Sequence, residues 1–489
     1  MLKTGAEHLE SLRDGRTLFV GNERVTDVTT HPAFRHGAQS IADIYDMKCA
    51  PENRDLMTFE ENGERFSGYF LRARSKADLE FRHGVHQAIA DKTYGMFGRS
   101  PDHVSSFVTG MSLKPEIFGK YADNLMAYYQ RMRKADSYAV YAVVPPQAGR
   151  NPEAYQRANL PVPTLRVVRE DDDGVVITGI KMLATGAAYA NEIWIGNLTP
   201  LAPDQANQSI TCVVPVNAPG LELWARKPFG RDTTSDFENP LGYRYDESDS
   251  MLLCREVKVP WENVFVHNDA TLARQIYLET AGHTYGNHQS NVRFLSKVKL
   301  IVGIASKITK VSGADQIPAV RETLGKLAAW EATLEGLIMG QLQGAEEWPV
   351  QGHWCYNRRY VYAALNWCTE NHSVIIDQLR ELCGGSVFQM PADISVMADP
   401  ALRASFEEYW STLQMGAVDR MKLYKLAWDL TGSEFAGRHQ QYEKFYAGAS
   451  FVVRNYTYMH TNWHELEGIA DRLLESYGVP EEYLKTYSR

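Results

Sequence analysis

The middle of the chain contains Thr164-Leu-Arg-Val-Val-Arg169, then Asp171-Asp-Asp-Gly174, then Val175-Val-Ile-Thr-Gly-Ile-Lys-Met182. Two runs rich in β-branched residues flank a short acidic stretch that ends in glycine, and this pattern predicts a β-hairpin with a solvated turn. Further runs of the same kind follow at 192–196, 210–216 and 251–259. Short strands at this density are typical of a small antiparallel barrel or sandwich.

On both sides of this β-rich segment, apolar residues recur at spacings of three and four, which indicates half-buried helices. The predicted helices are 38–45, 76–94, 125–138, 291–311, 319–343, 356–382 and 402–433. Breaks between the later helices are predicted at Gly313, at 348–349 and at 384–385. The fold class is therefore predicted to be α+β and mainly α. We expect an N-terminal helical domain at 1–145, a β-barrel domain at 146–271 and a C-terminal helical bundle at 272–489.

Composition excludes several classes of function. The 51 Lys and Arg residues against 60 Asp and Glu residues give a net charge of −9 without a basic block, which argues against binding to nucleic acid. No apolar stretch reaches the roughly 18 residues of a membrane span, and the first residues lack the apolar core of a signal peptide. The six cysteines form no CxxC pair, which disfavours a zinc ribbon or an iron–sulfur run. We therefore expect a cytoplasmic enzyme that acts on small substrates.

The common cofactor and catalytic motifs are absent. The chain contains no GxGxxG, GxxxxGK[ST], GxSxG or HExxH pattern, so a Rossmann site, a P-loop, a serine hydrolase elbow and a zinc protease are unsupported. His460 and His464 are four residues apart beside Glu465, and one helix face could present both to a metal. Two exposed histidines near a helix end is the favoured interpretation, and no metal is predicted.

Three stretches contain residues that a binding site could use, and each also has a purely structural interpretation. The first stretch is Gly98-Arg-Ser-Pro-Asp-His103, in which an arginine precedes a Ser-Pro-Asp helix start. The Ser and Asp would cap the helix and hold the arginine at its boundary. In the structural interpretation, the helix is capped and the arginine lies on the surface. Val143-Val-Pro-Pro-Gln147 lies where helix gives way to strand and could be a linker. The small residues of Lys181-Met-Leu-Ala-Thr-Gly-Ala-Ala188 permit close approach of a flat or phosphorylated ligand, or tight strand packing.

With these stretches the chain resembles the oxygenase component of the two-component FADH2-dependent monooxygenases, in particular the 4-hydroxyphenylacetate 3-monooxygenase and chlorophenol monooxygenase family. The matching segments occur in family order at 9–16, 27–34, 98–102, 179–187, 259–265, 419–423 and 432–439. The resemblance implies an acyl-CoA-dehydrogenase-like fold, consistent with the helix–strand–helix order above. It also implies a homotetramer that uses O2 and FADH2 from a separate NAD(P)H:flavin reductase. Such enzymes hydroxylate a phenolic substrate at the ortho carbon through a C4a-hydroperoxyflavin.

The resemblance also implies the catalytic residues. The family places the arginine and tyrosine of an R-[ST]-P-D-Y motif, and a later histidine, around the phenol oxygen. Arg99 and Ser100 match this motif, but the tyrosine position is His103 and the histidine position is Tyr141. Our hypothesis is that Arg99 holds the phenolate, His103 takes or shares the phenol proton, and Tyr141 orients substrate or flavin. Histidine is the better base because its ordinary pKa is about 6.5 against about 10 for tyrosine. Alternatively, the exchange reflects a pocket for a different substrate.

By the same resemblance, the flavin site comprises Tyr141, Ala142, Val143, Gln147, Ala148, Gly149, Arg150, Thr185, Tyr446, Ala447, Gly448 and Ala449. Arg150 would pair with the pyrophosphate, since a guanidinium binds phosphate through two hydrogen bonds. The family often has Gly-Asp where this chain has Gly448-Ala449. The substrate site comprises Arg99, Ser100, His103, Tyr141, Asn197 and Leu198. The polar segment 199–209 then corresponds to a mobile lid.

Other flavin-dependent classes remain alternatives. A hydroxyacyl-CoA dehydratase of the same superfamily needs cysteines at CxxxC spacing, which this chain does not supply. An acyl-CoA dehydrogenase would hold oxidised FAD tightly. A non-catalytic flavin protein would lose all three site residues, whereas Arg99 is retained.

Overall fold

A computed structural model describes residues 2–150, 152–160, 162–198, 200–229 and 235–484, without the side chains of residues 148, 150, 152, 156, 204 and 484. The helices α1 to α18 are Gly5–Ser11, Arg35–Cys49, Arg54–Met57, Lys76–Lys92, Asp102–Met111, Ala122–Ala135, Pro152–Arg157, Pro240–Arg244, Leu272–Leu278, Gly282–Ser312, Pro318–Gln343, Arg358–Cys383, Pro400–Trp410, Ala417–Thr431, Glu434–Phe445, Ser450–Met459, Trp463–Glu475 and Glu481–Leu484. The strands β1 to β14 are Leu18–Val20, Glu23–Val25, Thr58–Glu61, Glu64–Ser67, Ala139–Ala142, Arg166–Asp171, Gly174–Thr185, Glu192–Ile195, Thr211–Pro215, Leu221–Ala225, Asp249–Pro260, Val264–Val266, Glu346–Glu347 and Trp354–Cys355.

The central hairpin forms as predicted. Strands β6 and β7 pair antiparallel, with Asp171 opposite Gly174 at the turn. A Cβ at Gly174 would lie 2.1 Å from the carbonyl oxygen of Val259, so only glycine allows β11 to approach this closely. Strand β7 is twelve residues long and pairs on its other side with β11. The end of this strand therefore positions Thr185, one of the predicted site residues.

The strands form two sheets. One has the order β2-β1-β10-β11-β7-β6 and the other the order β12-β9-β8-β5. The pairs β1–β10 and β5–β8 are parallel, and the remaining pairs in these two sheets are antiparallel. The helix-rich α+β class is thus confirmed, while no pairing among the described residues closes the strands into a single barrel. Strands β1, β2 and β5 belong to these sheets although they precede residue 146. The domain limits 145/146 and 271/272 remain predictions.

The long helix α10 is the axis of the C-terminal half and packs against α4, α5, α11 and α12. Every residue from Gly282 to Val298 is buried. The sequence predicted that this helix starts near residue 291, because the residues before it are polar and obscure the helical spacing of apolar residues. The helix ends where predicted, with Gly313 in the left-handed conformation at φ +72°. None of the described helices combines the length and the apolarity needed to cross a lipid bilayer.

The prediction of one helix over 402–433 is wrong, because two helices, α13 and α14, occupy this region. Ser411 is extended, and its hydroxyl donates to the carbonyl of Glu407 at 2.7 Å and accepts from the amide of Ala417 at 3.1 Å. Gly416 is also extended at the start of α14. The serine side chain therefore satisfies backbone groups that a continuous helix would pair internally.

Two glycines of α10 give a matched test of this packing. A Cβ at Gly286 would lie 1.9 Å from the ring of Phe107 on α5, whereas no atom lies within 4 Å of a Cβ at Gly303. We expect Gly286→Ala to destabilise the protein by about 1–3 kcal/mol through overpacking. Gly303→Ala should stabilise it by about 0.5–1 kcal/mol because glycine is a poor helix former. The urea midpoint of each variant measures this, and midpoints that rise together would contradict the close approach of α5 and α10.

Candidate active site

Arg99 precedes α5 and is 7% exposed. Its Nη2 donates to the carbonyl oxygen of Tyr446 at 3.0 Å, and its Nη1 donates to Nε2 of His103 at 2.8 Å. The guanidinium carbon lies 4.0 Å from the ring centre of Tyr446 and 4.7 Å from that of Tyr141. Within the described part of the chain, no carboxylate forms an ion pair with Arg99. The structure thus excludes the surface-arginine interpretation and leaves a buried cation without a counter-ion.

His103 is the second residue of α5 and is 1% exposed. Its Nδ1 lies 2.9 Å from Oε1 of Gln289, and its Nε2 faces Arg99. Burial, and then the charge of Arg99, lower the pKa of His103 well below its usual range. The imidazole is therefore neutral at pH 7, and both of its nitrogens already have partners.

Asp102 connects this pair to the helices behind it. Its Oδ2 accepts from Nδ1 of His86 at 2.7 Å, and its Oδ1 accepts from Ser100 Oγ at 2.5 Å and from Nε2 of Gln289 at 3.3 Å. The helix boundary before residue 102 is as predicted, but neither Ser100 nor Asp102 caps it. Pro101 is the N-cap residue, and no side chain bonds to the first turn. The carboxylate is instead used to anchor α5 to α4 and α10.

Aromatic rings close the opposite side of the site. Tyr141 on β5 has its ring centre 5.4 Å from that of His103 and 5.8 Å from that of Phe107. Burial raises the pKa of Tyr141, so its hydroxyl stays protonated and can donate a hydrogen bond. The structure therefore brings together all three residues that the sequence predicted as catalytic.

The predicted flavin residues come from adjacent segments. Ala142 and Val143 at the end of β5 are buried, and Val144 bridges to Met182 of β7. Thr185 ends β7 and donates to Asp249 at 2.7 Å. Gln147 and Gly149 lie in the 3-10 turn Gln147–Arg150, while the side chains of Ala148 and Arg150 lie outside the described atoms.

The segment from Tyr446 to Ala449 joins α15 to α16. The hydroxyl of Tyr446 donates to the carbonyl of Gly98 at 2.9 Å and accepts from Ser290 Oγ at 3.0 Å. Burial raises the pKa of Tyr446 to about 12. Gly448 has φ +105°, a conformation that favours glycine. This segment therefore supplies a rigid tyrosine to the site, followed by a turn.

Thr164 and Gly149 provide a test of whether the site suits a flavin. The Thr164 hydroxyl is buried and has no hydrogen-bond partner among the described atoms. A Cβ at Gly149 would lie 2.3 Å from this hydroxyl, so glycine keeps the space beside it open. A buried polar atom without a partner among the described atoms, next to a turn, fits a ligand with polar chain atoms. The residues present therefore suit the cofactor that the sequence predicts.

Asn197, predicted as a substrate residue, has its whole amide engaged. Its Nδ2 donates to the carbonyls of Gln208 at 2.9 Å and Ile210 at 3.2 Å, and its Oδ1 accepts from Lys181 at 2.7 Å. Lys181 is fully buried, also donates to the carbonyl of Gly196 at 2.8 Å, and burial lowers its pKa to about 7. Asn197 and Lys181 thus fasten both ends of the predicted lid, and the half-buried Leu198 follows them.

Sequence reasoning missed Gln289, Ser290 and Phe107, which all contact the site residues. For Gln289 and Ser290 a signal was present in the polar run Asn287-His-Gln-Ser290, which lies in a long buried helix. A polar run in a helix that is buried all round needs internal partners. The burial of this helix, however, is not evident from the polar residues themselves.

Comparison with known proteins identifies the family of this chain. The family model described as 4-hydroxyphenylacetate 3-hydroxylase N terminal matches residues 4–266, and its C-terminal counterpart matches residues 273–475. The chain belongs to the 4-hydroxyphenylacetate 3-hydroxylase family. It is 32% identical to the oxygenase component of 4-nitrophenol 2-monooxygenase from a Rhodococcus species, over 97% of this chain and 92% of that protein.

The fold agrees with this membership. A crystal structure of the oxygenase component of 4-hydroxyphenylacetate 3-monooxygenase, complexed with FAD and 4-hydroxyphenylacetate, superposes with a TM-score of 0.91 at 28% identity. It covers 99% of this chain and 100% of its own. An archaeal 4-hydroxybutyryl-CoA dehydratase from N. maritimus superposes with a TM-score of 0.86, over 100% of this chain and 99% of its own. Its identity is 16%, so this second likeness concerns the fold alone.

The anchoring of the lid by Lys181 predicts a change in protease sensitivity. In Lys181→Met, Asn197 loses its buried amine donor, and the predicted lid 199–209, of which residue 199 lies outside the described residues, should open more often because local stability sets local opening. We expect subtilisin to cut within this loop at least about tenfold faster, a loss of about 1.4 kcal/mol. Lys258→Met, which removes an exposed ion pair on the neighbouring strand β11, is the control. Equal cleavage rates in both variants would show that Lys181 does not hold the loop.

Proposed function

We propose that this protein is the oxygenase component of a two-component flavin-dependent monooxygenase that hydroxylates a small phenolic substrate ortho to its hydroxyl group. A separate reductase supplies FADH2. Membership of the 4-hydroxyphenylacetate 3-hydroxylase family supports the reaction class. The observation that supports the site is the buried Arg99, which lies among aromatic rings and forms no ion pair with a described carboxylate.

An unpaired guanidinium in such a position favours an anionic ligand. Arginine does not lose its proton in proteins, so burial costs free energy until a negative charge is supplied. A phenolate supplies that charge, and its ring can pack against Tyr141 and Phe107. The charge of Arg99 also lowers the pKa of a phenol that binds beside it. Loss of that proton makes the carbon ortho to the oxygen electron-rich.

His103 and Tyr141 divide the remaining tasks. Because the pKa of His103 is low, we assign it the role of sharing the phenol proton through Nε2 rather than holding it as an imidazolium. Tyr141 remains a neutral hydroxyl that donates to the substrate oxygen or to the cofactor. Arg99 is a charged side chain that contacts both residues, and we assign it the role of binding the substrate oxygen.

The predicted cofactor residues would hold FAD between two strand ends and the α15–α16 link. Backbone groups of Ala142 and Val143 and the hydroxyls of Thr185 and Thr164 are suited to its polar atoms. When bound and reduced, FAD supplies the electrons that activate O2. The protein's own part is to orient the phenol, keep its oxygen anionic and exclude water with the predicted lid 199–209.

We also propose a homotetramer. Helix α17 contains no buried residue, yet Leu466, Ile469 and Leu473 form an apolar stripe at helical spacing. These three side chains are 42%, 55% and 66% exposed. A second copy of this chain is the partner that would cover them, since family resemblance implies a tetramer.

Turnover tests the proposed function directly. Purified protein supplied with NADH, FAD and a flavin reductase should convert one member of a panel of para-substituted phenols to its catechol. Arg99→Met should lose phenolate binding by about 10- to 100-fold, because a hydrogen bond to a charged group contributes about 1.5–3 kcal/mol. Catechol and H2O2 are both quantified in these reactions.

Binding of 4-nitrophenol to flavin-free protein isolates the role of Arg99, since the phenolate form absorbs at longer wavelength than the phenol. The wild type should enrich the bound phenolate, and Arg99→Met should not. Arg131→Met is the control, because Arg131 packs over Tyr128 in the same way but is exposed. H2O2 without catechol from every phenol would refute the substrate class, and unchanged phenolate binding in Arg99→Met would refute the role of Arg99.

The tetramer has its own test. Replacing Leu466, Ile469 and Leu473 together with aspartate should lower the mass measured by light scattering, because three buried charges would oppose association. The change leaves the subunit core intact, since all three side chains are exposed in the single chain. Glu467→Gln with Asp471→Asn, on the opposite face of α17, is the control. A wild-type mass in the triple aspartate variant would exclude α17 from the interface.

A further inference from the structure

Gln289 is the one described side chain within 3.0 Å of Nδ1 of His103. It lies on α10, is 2% exposed, and has both ends of its amide engaged. Its Oε1 faces His103 at 2.9 Å, and its Nε2 donates to Ser100 Oγ at 3.2 Å and to Asp102 Oδ1 at 3.3 Å. The hydroxyl of Tyr446 is 3.5 Å from the same Nδ1, which is long for a hydrogen bond.

The direction of this amide follows from Asp102. A carboxylate only accepts hydrogen bonds, so the NH2 group of Gln289 must point towards Asp102. The carbonyl oxygen of the amide then points towards His103 and accepts a hydrogen bond from it. Nδ1 of His103 must therefore carry the proton. The reversed amide would place its oxygen against the Asp102 carboxylate, where two acceptors repel each other.

The other nitrogen of the ring gives the same result independently. Arg99 donates to Nε2 from Nη1 at 2.8 Å, and a guanidinium has only donors. A proton on Nε2 would set two donors against each other beside a buried positive charge. Both neighbours thus require the same neutral tautomer, with its lone pair on Nε2, the atom beside Arg99.

We infer that Gln289 is a positioning residue for the hydroxylation. It transmits the orientation set by Asp102 to His103 and keeps the ring proton on Nδ1, so that Nε2 can take the phenol proton once the Arg99 guanidinium turns from Nε2 to the phenol oxygen. This inference rests on the proposed function and adds to it a residue that does not touch the substrate. Without the amide oxygen, the His103 ring is free to protonate on Nε2 or to rotate. It then fails to accept the proton of a neutral phenol, whereas Arg99 still binds a phenol that enters the site already ionised.

The first test is Gln289→Met, which keeps the side-chain length and removes both polar ends. We expect the hydroxylated product formed per NADH consumed to fall at least about tenfold, since a positioned acid or base typically contributes 10²- to 10⁴-fold. The dissociation constant for 4-nitrophenolate should change by less than about twofold, because Arg99 is retained. A general loss of structure would weaken both.

The second variant, Gln289→Glu, gives a pH signature. A carboxylate at this position still accepts from Nδ1 but favours the imidazolium, so it raises the pKa of His103. His103 accepts a proton only above that pKa. Product per NADH should therefore be retained at high pH and fall as the pH decreases through the raised pKa, while the wild type keeps its yield at the same pH values.

The matched control is Gln341→Met. Gln341 is fully buried on α11, and its Oε1 lies 2.6 Å from Nδ1 of His288, so it holds another histidine in the same way. His288 does not contact Arg99. Product per NADH in Gln341→Met should equal that of the wild type, and an equal loss in both methionine variants would assign the effect to packing and overturn the inference.

A measurement without flavin keeps this inference separate from the proposed function. In protein labelled with 15N-histidine, the His103 signals are identified by their loss in His103→Gln. They should show a proton on Nδ1 in the wild type and in Arg99→Met, and lose this single tautomer when Gln289→Met is added to Arg99→Met, because neither neighbour then sets it. An unchanged tautomer in this double variant would overturn the inference. If the wild type hydroxylates no phenol, the proposed function fails, while the tautomer measurement still decides the role of Gln289.

Discussion

The burial of the Arg99 charge without a carboxylate partner is the constraint on which the site depends. A carboxylate is close, but it is used elsewhere: Glu247 accepts from the backbone amide of Arg99 at 2.7 Å and forms its ion pair with Arg438 at 2.9 Å. The guanidinium is left with a carbonyl, an imidazole and aromatic faces. These groups stabilise a cation only in part, so an anionic ligand completes the site.

Two other buried cations near the site are paired with a carboxylate, and these pairs hold the helices that carry the aromatic groups. Arg293 of α10 makes two hydrogen bonds to Glu443 of α15, at 2.6 and 2.7 Å, and Lys297 also bonds to Glu443. Arg293 in turn lies 4.7 Å from the ring centre of Tyr446. These bonds fix the end of α15, and the position of Tyr446 follows from them.

The sequence predicted the central hairpin, the limits of α4, α11 and α12 to within two residues, the α+β class, and the site residues His103, Tyr141 and Tyr446 that lie around Arg99. The hairpin was accessible because alternation and turn chemistry are local, and Gly174 marks the turn directly. The exchange of His103 and Tyr141 was visible because both residues occupy positions that the family resemblance assigns. The strands β1, β2 and β5 were missed because three or four residues are too few to show an alternating pattern. The break between α13 and α14 was missed because one serine side chain replaces the backbone bonds there.

By itself, the sequence determined which chemical groups are available: an arginine, a histidine and a tyrosine at positions that resemble a flavin monooxygenase site, and small residues that leave room for a ligand. Only the tertiary structure decided the state of those groups. Whether His103 is a strong base or a neutral acceptor depends on Arg99, Gln289 and Asp102, and Gln289 is 186 residues away from His103 in the chain. Burial and the direction of a hydrogen bond are properties of distant segments brought together, and local sequence does not contain them.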